Sequence, residues 1–383
     1  MSVAKRLEPF GQTIFTTITA LAVEHDAINL GQGFPNFDGP DFVKDAATEA
    51  MARGENQYPR SFGIAPLVEA IAARFTADTG LDVDAYEHVT VTSGCTEALA
   101  ACFLGLIEPG DEVVLIEPTY DAYLPDAALV GAVPRFVTLR PPDFALDPDE
   151  LRAVFSHRTR AIVVNTPHNP TGRVFTPGEL EMVASLCREY DALAITDEVY
   201  ERMVFEGEHV SLATLDGMWD RTVTLSSLGK SFSLTGWKVG WAIAPAHLSA
   251  GVRAAHQFLT FATATPLQHG ARAALQAPDA YYDELASAYR ARRDLLAGGL
   301  ADLGLEVFTP AGTYFMLADH SRFGFADDVA FVQHLITRTG VAAIPPSAFY
   351  HRPADGASLV RFAFSKDEAT LAAAIDRLGA LHA

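Results

Sequence analysis

Two lysines stand eight positions apart in the segment Ser226-Ser227-Leu228-Gly229-Lys230-Ser231-Phe232-Ser233-Leu234-Thr235-Gly236-Trp237-Lys238. The residues before it, 222–225, are mostly β-branched, a pattern that predicts a strand leading into a loop. A lysine among small residues at a strand end is accessible to a ligand, and burial there would lower its pKa toward that of a nucleophile. An isolated lysine of this kind is more often a solvated loop residue, so its interpretation depends on the rest of the sequence.

The composition is that of an ordinary globular protein with an acidic surface. The chain has 383 residues, with 28 Lys and Arg against 48 Asp and Glu, and hence a formal net charge of −20. The length suggests about two domains. The negative charge, scattered along the chain, disfavours nucleic acid as a partner. The three cysteines form neither a Cys-x-x-Cys pair nor a disulfide-rich pattern, and no metal site is predicted.

The sequence shows no targeting or membrane-spanning pattern. Residues 1–10 lack the apolar stretch of a signal peptide, and the apolar residues 16–23 are followed at once by polar residues at 24–26. We therefore expect a cytoplasmic protein with no membrane partner.

Strands and helices alternate between residues 88 and 196. The pattern predicts strands at 88–93, 112–117, 134–138, 160–165 and 192–196, and helices at 96–107, 121–131, 147–155 and 177–190. The last two strands are almost continuously apolar, as expected when helices cover both faces of a parallel sheet. The predicted fold class is therefore α/β, with a large domain built on a mostly parallel, doubly wound sheet.

The C-terminal part of the chain has a different pattern. A long helix is predicted at 280–300, broken at Gly298-Gly299, and short strands and helices alternate after it. This pattern indicates a smaller α+β domain. Nearer the N-terminus, a helix is predicted at 41–53 with Asp41 as its N-cap.

Several polar residues follow predicted strands at their carboxyl ends, the edge at which open α/β sheets bind ligands. Residues 94–96 form a small-residue turn that opens a helix, where free N–H groups and the helix dipole suit an anion. Asp197 ends a buried strand, and a buried carboxylate is costly unless it meets a cation. Arg361 alternates with apolar residues on a strand, so we expect it to be buried and to bind an anion.

Each of these residues also has a purely structural interpretation. Asp197 could be a helix N-cap, and Arg361 could form an ion pair with the long helix. Tyr120, just beyond the strand at 112–117, could serve only in packing. The turn Asn169-Pro170-Thr171-Gly172 could be no more than a turn.

Taken together, in this order and spacing from about residue 10 to residue 366, the motifs resemble those of the pyridoxal-phosphate-dependent class I aminotransferases of fold type I. The resemblance implies pyridoxal 5′-phosphate (PLP) as cofactor and transfer of an amino group from an L-amino acid to a 2-oxo acid in two half-reactions. It also implies a large PLP-binding domain, residues 39–285. Residues 1–38, the N-terminal arm, and residues 286–383 would form the small domain.

The resemblance also implies roles for individual residues around the cofactor ring. Lys230 would bond the cofactor covalently, and its freed amine would move the proton during the reaction. Asp197 would pair with the ring nitrogen, and Tyr120 would stack on the ring. Asn169 and Tyr200 would hydrogen-bond the phenolate oxygen.

A second set of residues would hold the phosphate. Ser227, Lys238 and the turn Gly94-Cys95-Thr96 belong to this set, and Lys238 stands where arginine is more usual in the family. Tyr58 would reach the phosphate of the partner subunit, which implies a homodimer.

The substrate would be held by a third set. Arg361 would bind the α-carboxylate as a bidentate fork, with Gly33 and Asn169 beside it. His168 is interpreted as a neighbour of the site and not as a catalyst.

Segments 31–37, 56–63, 236–241 and 344–350 resemble the branch that contains kynurenine/glutamine aminotransferases and bacterial methionine aminotransferases. Asn36 and Pro346 depart from that branch. Phe34, Phe261, Phe315 and Tyr123 are expected to wall an apolar pocket suited to methionine, aromatic, glutamine or similar donors. No second arginine is evident for a distal carboxylate, which disfavours aspartate as donor.

Three other functions fit parts of the pattern. A PLP-dependent cysteine-S-conjugate β-lyase would use the same residues and release pyruvate, ammonia and a thiol. An effector-binding module of a transcription regulator would need a DNA-binding domain, and no basic helix–turn–helix precedes residue 10. A catalytically inactive scaffold would be free to lose Lys230, Asp197 and Arg361, all of which are present.

Overall fold

The computed structural model describes residues 3–382. The helices are α1 Ile14–Glu24, α2 Asp41–Ala52, α3 Ala65–Thr79, α4 Cys95–Leu106, α5 Tyr123–Val130, α6 Pro148–Val154, α7 Pro177–Tyr190, α8 Leu228–Ser231, α9 Ala246–Leu259, α10 Thr265–Leu275, α11 Asp279–Asp302, α12 Asp328–His334 and α13 Glu368–Leu378. The strands are β1 Ile28–Asn29, β2 Val89–Thr92, β3 Glu112–Glu117, β4 Val133–Thr138, β5 Thr159–Asn165, β6 Leu193–Asp197, β7 Thr222–Ser227, β8 Gly240–Ile243, β9 Glu306–Phe308, β10 Phe315–Asp319, β11 Val341–Ala342 and β12 Leu359–Ala363.

The largest sheet has seven strands in the order β2-β8-β7-β6-β5-β3-β4. β8, which the sequence pattern did not predict, runs antiparallel to both neighbours, and all other pairs are parallel. The carboxyl ends of β2, β5, β6 and β7 therefore lie at one edge of the sheet. The register aligns Asn165 with Asp197 and Ser227 with Gly240 at that edge.

Both faces of this sheet are covered by helices. Val113 and Leu115 of β3 pack in one apolar cluster with residues of α4, α5 and α9. Val114 and Ile116 of the same strand pack on the opposite face with residues of α6 and α7. Successive strand residues point to opposite faces, so both kinds of position must be apolar here. The predicted doubly wound α/β sheet is confirmed.

The remaining strands form two small sheets near the C-terminal helices. β12, β10 and β9 form an antiparallel sheet, and β1 pairs in parallel with β11. The β1 segment thus joins the C-terminal part of the chain. All strands of the large sheet lie within residues 39–285, and the domain boundaries themselves stay a prediction.

Two local predictions are wrong. Helix α11 continues through Gly298-Gly299 to Asp302. A Cβ at Gly299 would lie 2.5 Å from the Ile375 side chain, so this glycine lets α13 approach and does not end the helix. Asp41 is the first residue of α2 and Pro40 is the N-cap. Asp41 instead pairs with Lys44 at 2.9 Å in the first turn, where a carboxylate interacts favourably with the helix dipole.

Candidate active site

A cavity of about 260 Å³ opens at the carboxyl edge of the large sheet. It brings together residues from β2–α4, β5, β6, β7–α8 and β12, which are far apart in the sequence. Twelve of the thirteen predicted site residues line it: Gly33, Gly94, Cys95, Thr96, Tyr120, Asn169, Asp197, Tyr200, Ser227, Lys230, Lys238 and Arg361.

One end of the cavity is the turn between β2 and α4. Gly94 has φ +81, and a Cβ there would lie 3.2 Å from the Lys238 Nζ. The Lys238 ammonium donates to Thr96 Oγ1 at 3.2 Å, and the N-terminus of α4 begins at Cys95. Gly240 allows β8 to approach, since a Cβ there would lie 2.6 Å from the Cys95 backbone nitrogen. Backbone N–H groups, a helix dipole and an ammonium therefore converge, which suits a phosphate.

Asp197 lies deeper in the cavity, at the end of β6, and is 5 % exposed. Burial raises the pKa of Asp197, although hydrogen bonds from Tyr123 and the Val199 backbone act to lower it. The Tyr123 hydroxyl donates to Asp197 Oδ2 at 2.8 Å, and the Cys95 thiol lies 3.6 Å from Oδ1. A buried carboxylate whose hydrogen-bond donors are all neutral is suited to a cation placed against it.

Tyr123 was predicted to wall the substrate pocket, and this prediction is wrong. The side chain is 3 % exposed, does not line the cavity and directs its hydroxyl to Asp197. Tyr123 is the first residue of α5, three residues after Tyr120, and its side chain is buried below the cavity floor at Asp197. No local pattern in the sequence predicts the partner of its hydroxyl, because the contact joins residues 74 positions apart.

Lys230 sits in the short helix α8, at the centre of the cavity. Its Nζ donates to the Tyr314 hydroxyl at 3.1 Å and lies 5.6 Å from the ring centres of both Tyr200 and Tyr314. Burial raises the pKa of Tyr200 well above its usual value, so its hydroxyl stays protonated and can donate a hydrogen bond. Tyr314 was not predicted as a site residue.

Arg361 forms the other end of the cavity and is 1 % exposed. Its Nη1 donates to Asn169 Oδ1 at 3.2 Å and its Nη2 to the Gly31 carbonyl at 2.8 Å, while Nε has no hydrogen-bond partner. The predicted alternative, an ion pair with the long helix, does not occur. Burial lowers the pKa of Arg361 below its usual value. A buried guanidinium without a carboxylate partner is suited to an anionic ligand.

The two asparagines link the ends of the cavity. Asn165 donates from Nδ2 to the Asp197 carbonyl at 2.7 Å and accepts from the Asn169 backbone at 2.7 Å. Asn169 in turn accepts from Arg361, so its amide is fixed with Oδ1 toward the guanidinium. His168 is buried beside them with its Nδ1 2.8 Å from Thr171 Oγ1, and burial lowers its pKa to about 3. A histidine that stays neutral and does not line the cavity agrees with the predicted neighbour role.

The apolar wall differs from the prediction. Phe315 lines the cavity as expected, and Phe15, which was not predicted, lines it too. Phe34 and Phe261 are 46 % and 44 % exposed and do not line it. Tyr58, the remaining predicted residue, is 86 % exposed and lies edge-on to Phe261 at 5.4 Å between ring centres.

The sequence model of the family described as "Aminotransferase class I and II" matches residues 25–378. The chain therefore belongs to this family. It is an aminotransferase of fold type I, and its cofactor is pyridoxal phosphate. The family resemblance inferred from the motifs is confirmed.

Three relatives are similar over nearly their full length. The chain is 48% identical to "Probable N-succinyldiaminopimelate aminotransferase DapC" of Mycobacterium tuberculosis, with 98% of each chain covered. It is 42% identical to "Methionine aminotransferase" of Escherichia coli, with 97% of each covered, and 40% identical to human "Kynurenine--oxoglutarate transaminase 1", with 98% and 97% covered. The solved structure of the Mycobacterium tuberculosis N-succinyldiaminopimelate aminotransferase superposes with a TM-score of 0.97 at 48% identity, covering 99% of this chain and 100% of that one.

Among residues 3–382, no helix combines the length and the apolar character that crossing a bilayer requires.

Proposed function

We propose that this aminotransferase takes its amino group from an L-amino acid with an apolar side chain, such as methionine or an aromatic amino acid, or from glutamine. The observation that carries the proposal is the distribution of cations in the cavity. The lysines and arginine that line it are Lys230, Lys238 and Arg361. We assign each of them to the cofactor or the α-carboxylate, so the cavity lining, within the described residues 3–382, offers no further cation for a distal carboxylate.

The residues of the cavity fit both the phosphate and the ring nitrogen of pyridoxal phosphate. We assign the phosphate to Lys238, Ser227 and the turn 94–96, where an ammonium and a helix N-terminus converge. We assign the ring nitrogen to Asp197, a buried carboxylate that forms no ion pair within residues 3–382. When bound, the cofactor supplies a carbonyl carbon that takes up the amino group and a ring that accepts an electron pair.

The side chains around the ring would hold it in one plane. Tyr120 lines the cavity and would stack on the ring. Asn169 and Tyr200 lie on the side nearer Arg361, where each can hydrogen-bond the phenolate oxygen through its amide or hydroxyl. Lys230, which approaches from α8, would bond the cofactor.

Different side chains would bind the donor's carboxylate, remove its Cα proton and exclude water. Arg361 would bind the α-carboxylate through the guanidinium edge that includes the unpartnered Nε, and Gly33 leaves room beside it. The Lys230 amine would take the Cα proton as a general base. Phe15 and Phe315 lie against Arg361, with ring centres 5.2 Å and 4.1 Å from its Cζ, and would exclude water from the carboxylate.

We also propose a homodimer. Tyr58 and Phe258 are each 86 % exposed, and Leu259 and Phe261 are 44 % exposed beside them. Exposed aromatic side chains grouped in this way are typical of an interface. A second copy would cover this surface and bring Tyr58 to the phosphate end of its partner. The cytoplasmic location stays a prediction.

A second donor is favoured by one specific observation. The relative that is 48% identical is named for N-succinyldiaminopimelate, a donor with additional carboxylates. Lys366 lies near the cavity, is 4 % exposed, and donates to the Phe34 carbonyl at 2.6 Å. Burial lowers the pKa of Lys366 to about 8. This ammonium and residues of the partner subunit are the places where a distal carboxylate would be bound.

The experiment is a half-reaction screen. Purified PLP-loaded protein would be mixed with single donors without acceptor, and the products identified by mass spectrometry. We expect methionine and phenylalanine to give the matching 2-oxo acids. If only N-succinyldiaminopimelate and aspartate react, and methionine and phenylalanine do not, the proposal of an apolar donor is contradicted. Pyruvate, ammonia and a thiol from a cysteine conjugate would identify the β-lyase instead.

The matched control uses Lys366→Met. If the donors are apolar, this variant should keep its rate with methionine within about 3-fold, because Lys366 does not line the cavity. A selective loss with N-succinyldiaminopimelate would support the second donor.

A further inference from the structure

Tyr314 connects two functional parts of the site that are distant in sequence. Its ring is fully buried directly before β10. Its hydroxyl lies 2.6 Å from the Gly33 carbonyl oxygen and 3.1 Å from Lys230 Nζ. Tyr314 is thus a bridge between the loop at the substrate and the catalytic lysine.

The chemistry of the partners fixes the direction of both hydrogen bonds. A carbonyl oxygen cannot donate, so the Tyr314 hydroxyl proton must point to Gly33. Toward Lys230 the same oxygen can only accept, and the lysine must be the donor. A tetrahedral amine that donates one N–H to Tyr314 has its lone pair in another direction.

The surrounding rings restrict the amine further. Lys230 Nζ lies 5.6 Å from the ring centres of Tyr200 and Tyr314, and these rings are 5.2 Å apart at 87°. The loop packs closely on these aromatic residues, since a Cβ at Gly33 would lie 2.5 Å from the Phe315 ring and 3.1 Å from the Tyr314 ring. Only glycine allows the carbonyl to reach the Tyr314 hydroxyl in this position.

The loop at 31–34 also carries the carboxylate-binding end of the site. The Gly31 carbonyl accepts from Arg361 at 2.8 Å, two residues before the carbonyl that accepts from Tyr314. The same short loop therefore binds the Arg361 guanidinium through one carbonyl and the Tyr314 hydroxyl, which contacts Lys230, through another.

We propose that Tyr314 is a positioning residue that orients the free amine of Lys230 and couples that orientation to the loop at 31–34. The proposal rests on the proposed function, in which Lys230 takes the Cα proton. In that step the donor's Cα–H bond breaks, a new N–H bond forms at Lys230, and the electron pair remains with the donor–cofactor pair. The Tyr314 hydroxyl keeps its own proton and donates it to the Gly33 carbonyl throughout, so Tyr314 is neither the acid nor the base.

The test is Tyr314→Phe, which keeps the ring and removes the hydroxyl. Loss of one hydrogen bond to a charged or catalytic group reduces the step that depends on it by about 10-fold. We expect kcat for methionine to fall by about this factor, with KM and cofactor content close to those of the unmodified protein. We also expect a larger kinetic isotope effect with Cα-deuterated methionine, because proton transfer then limits the rate more strongly.

A second readout needs no turnover. The cofactor-free protein would be mixed with PLP, and the rate at which the covalent bond forms would be followed by absorbance. We expect Tyr314→Phe to slow this rate by a similar factor, since the amine is no longer held in one orientation. Gly33→Ala, which pushes the loop away from Tyr314, should produce the same change in isotope effect from the other side of the bridge.

The matched control is Tyr289→Phe. Tyr289 is a fully buried tyrosine whose ring centre lies 5.9 Å from that of Tyr314, and it does not line the cavity. An unchanged isotope effect and unchanged bonding rate in Tyr314→Phe would overturn the proposal, as would equal changes in Tyr289→Phe. Failure of the proposed function is recognised separately, because the unmodified protein would then not convert methionine to its 2-oxo acid, whereas the rate of PLP bonding would still test the role of Tyr314.

Discussion

The two ends of the cavity are suited to anions for different physical reasons. At the phosphate end, Lys238 is exposed and shares its work with backbone N–H groups at the start of α4. At the carboxylate end, Arg361 is 1 % exposed and is held by Asn169 and the Gly31 carbonyl among three aromatic rings. One end is a set of weak donors in contact with solvent, and the other is a single desolvated cation.

This difference determines what each end can discriminate. A charge in water interacts weakly with its partner, whereas in a low-dielectric site the same pair interacts strongly and leaves a large penalty if one member is missing. The phosphate end therefore has several replaceable contributors. The carboxylate end depends on one side chain, and its burial makes the requirement for a carboxylate strict.

The largest effect is expected from Arg361→Ala. Truncating one member of a buried, hydrogen-bonded charge pair costs several kcal/mol, so kcat/KM for methionine should fall by about 1,000-fold. Cofactor content should stay near that of the unmodified protein, because the phosphate end is untouched. Steady-state kinetics and absorbance titration check both statements, and loss of cofactor together with activity would remove the distinction between the ends.

Lys238→Ala should have an intermediate effect on a different quantity. One charge-assisted hydrogen bond is lost at an exposed position, so the dissociation constant of PLP should rise by about 30-fold. Because solvent reaches this end, raising the salt concentration should weaken binding in the unmodified protein more than in the variant. Equal salt dependence in both proteins would contradict the exposed character of this end.

Tyr123→Phe tests a third charged group, the Asp197 carboxylate, which is buried like Arg361 but carries a negative charge. The hydrogen bond from Tyr123 lowers the pKa of Asp197 against the raising effect of burial. Without it the pKa of Asp197 rises further, a larger fraction is protonated, and PLP affinity at neutral pH should fall by about 10-fold. The loss should be greatest at the acidic end of the pH range. A loss that does not vary with pH would show that Tyr123 acts by packing alone.

The smallest effect is expected on stability, from His256, which contacts the turn at the phosphate end through Glu97. Its Nδ1 lies 2.7 Å from Glu97 Oε1, and Glu97 accepts from the Ser93 backbone at 2.6 Å. Burial opposes the charge on His256, but the hydrogen bond and charge of Glu97 raise its pKa above the usual 6.5. A raised folded-state pKa stabilises the protein fully below pH 6.5, and this stabilisation is lost as the pH rises through the folded value.

Thermal unfolding of the unmodified protein and of His256→Gln would measure this contribution. The difference in Tm between the two should be a few degrees below pH 6 and should shrink above pH 7. A constant difference across that range would contradict the ionised pair.

The sequence predicted the residues of both ends because their local patterns carry the information. A glycine-rich turn opening a helix predicts an anion site, and an arginine among apolar residues on a strand predicts a buried cation, each within a few positions. Twelve predicted residues line one cavity. Most of these twelve were assigned through the resemblance of the motifs to the aminotransferase family, because their local patterns alone also fit turns, caps or packing. The apolar strands likewise predicted the doubly wound sheet.

What the sequence could not predict depends on contacts between distant segments. Tyr123 and Asp197 are 74 positions apart and Tyr314 and Lys230 are 84 apart, and no local pattern encodes which hydroxyl meets which partner. Gly299 was interpreted as a helix breaker, although its role is to admit α13. Phe34 and Phe261 have the apolar aromatic side chains expected of pocket residues, but neither lines the cavity of its own chain.

The different roles of the two ends require that the cofactor lies between Lys238 and Arg361, bonded to Lys230. The most direct measurement is reduction of the PLP-loaded protein with borohydride, followed by protease digestion and peptide mass spectrometry. We expect a single pyridoxyl-phosphate adduct on the peptide that contains Lys230. An adduct on another lysine, or no adduct in protein that converts methionine to its 2-oxo acid, would contradict it.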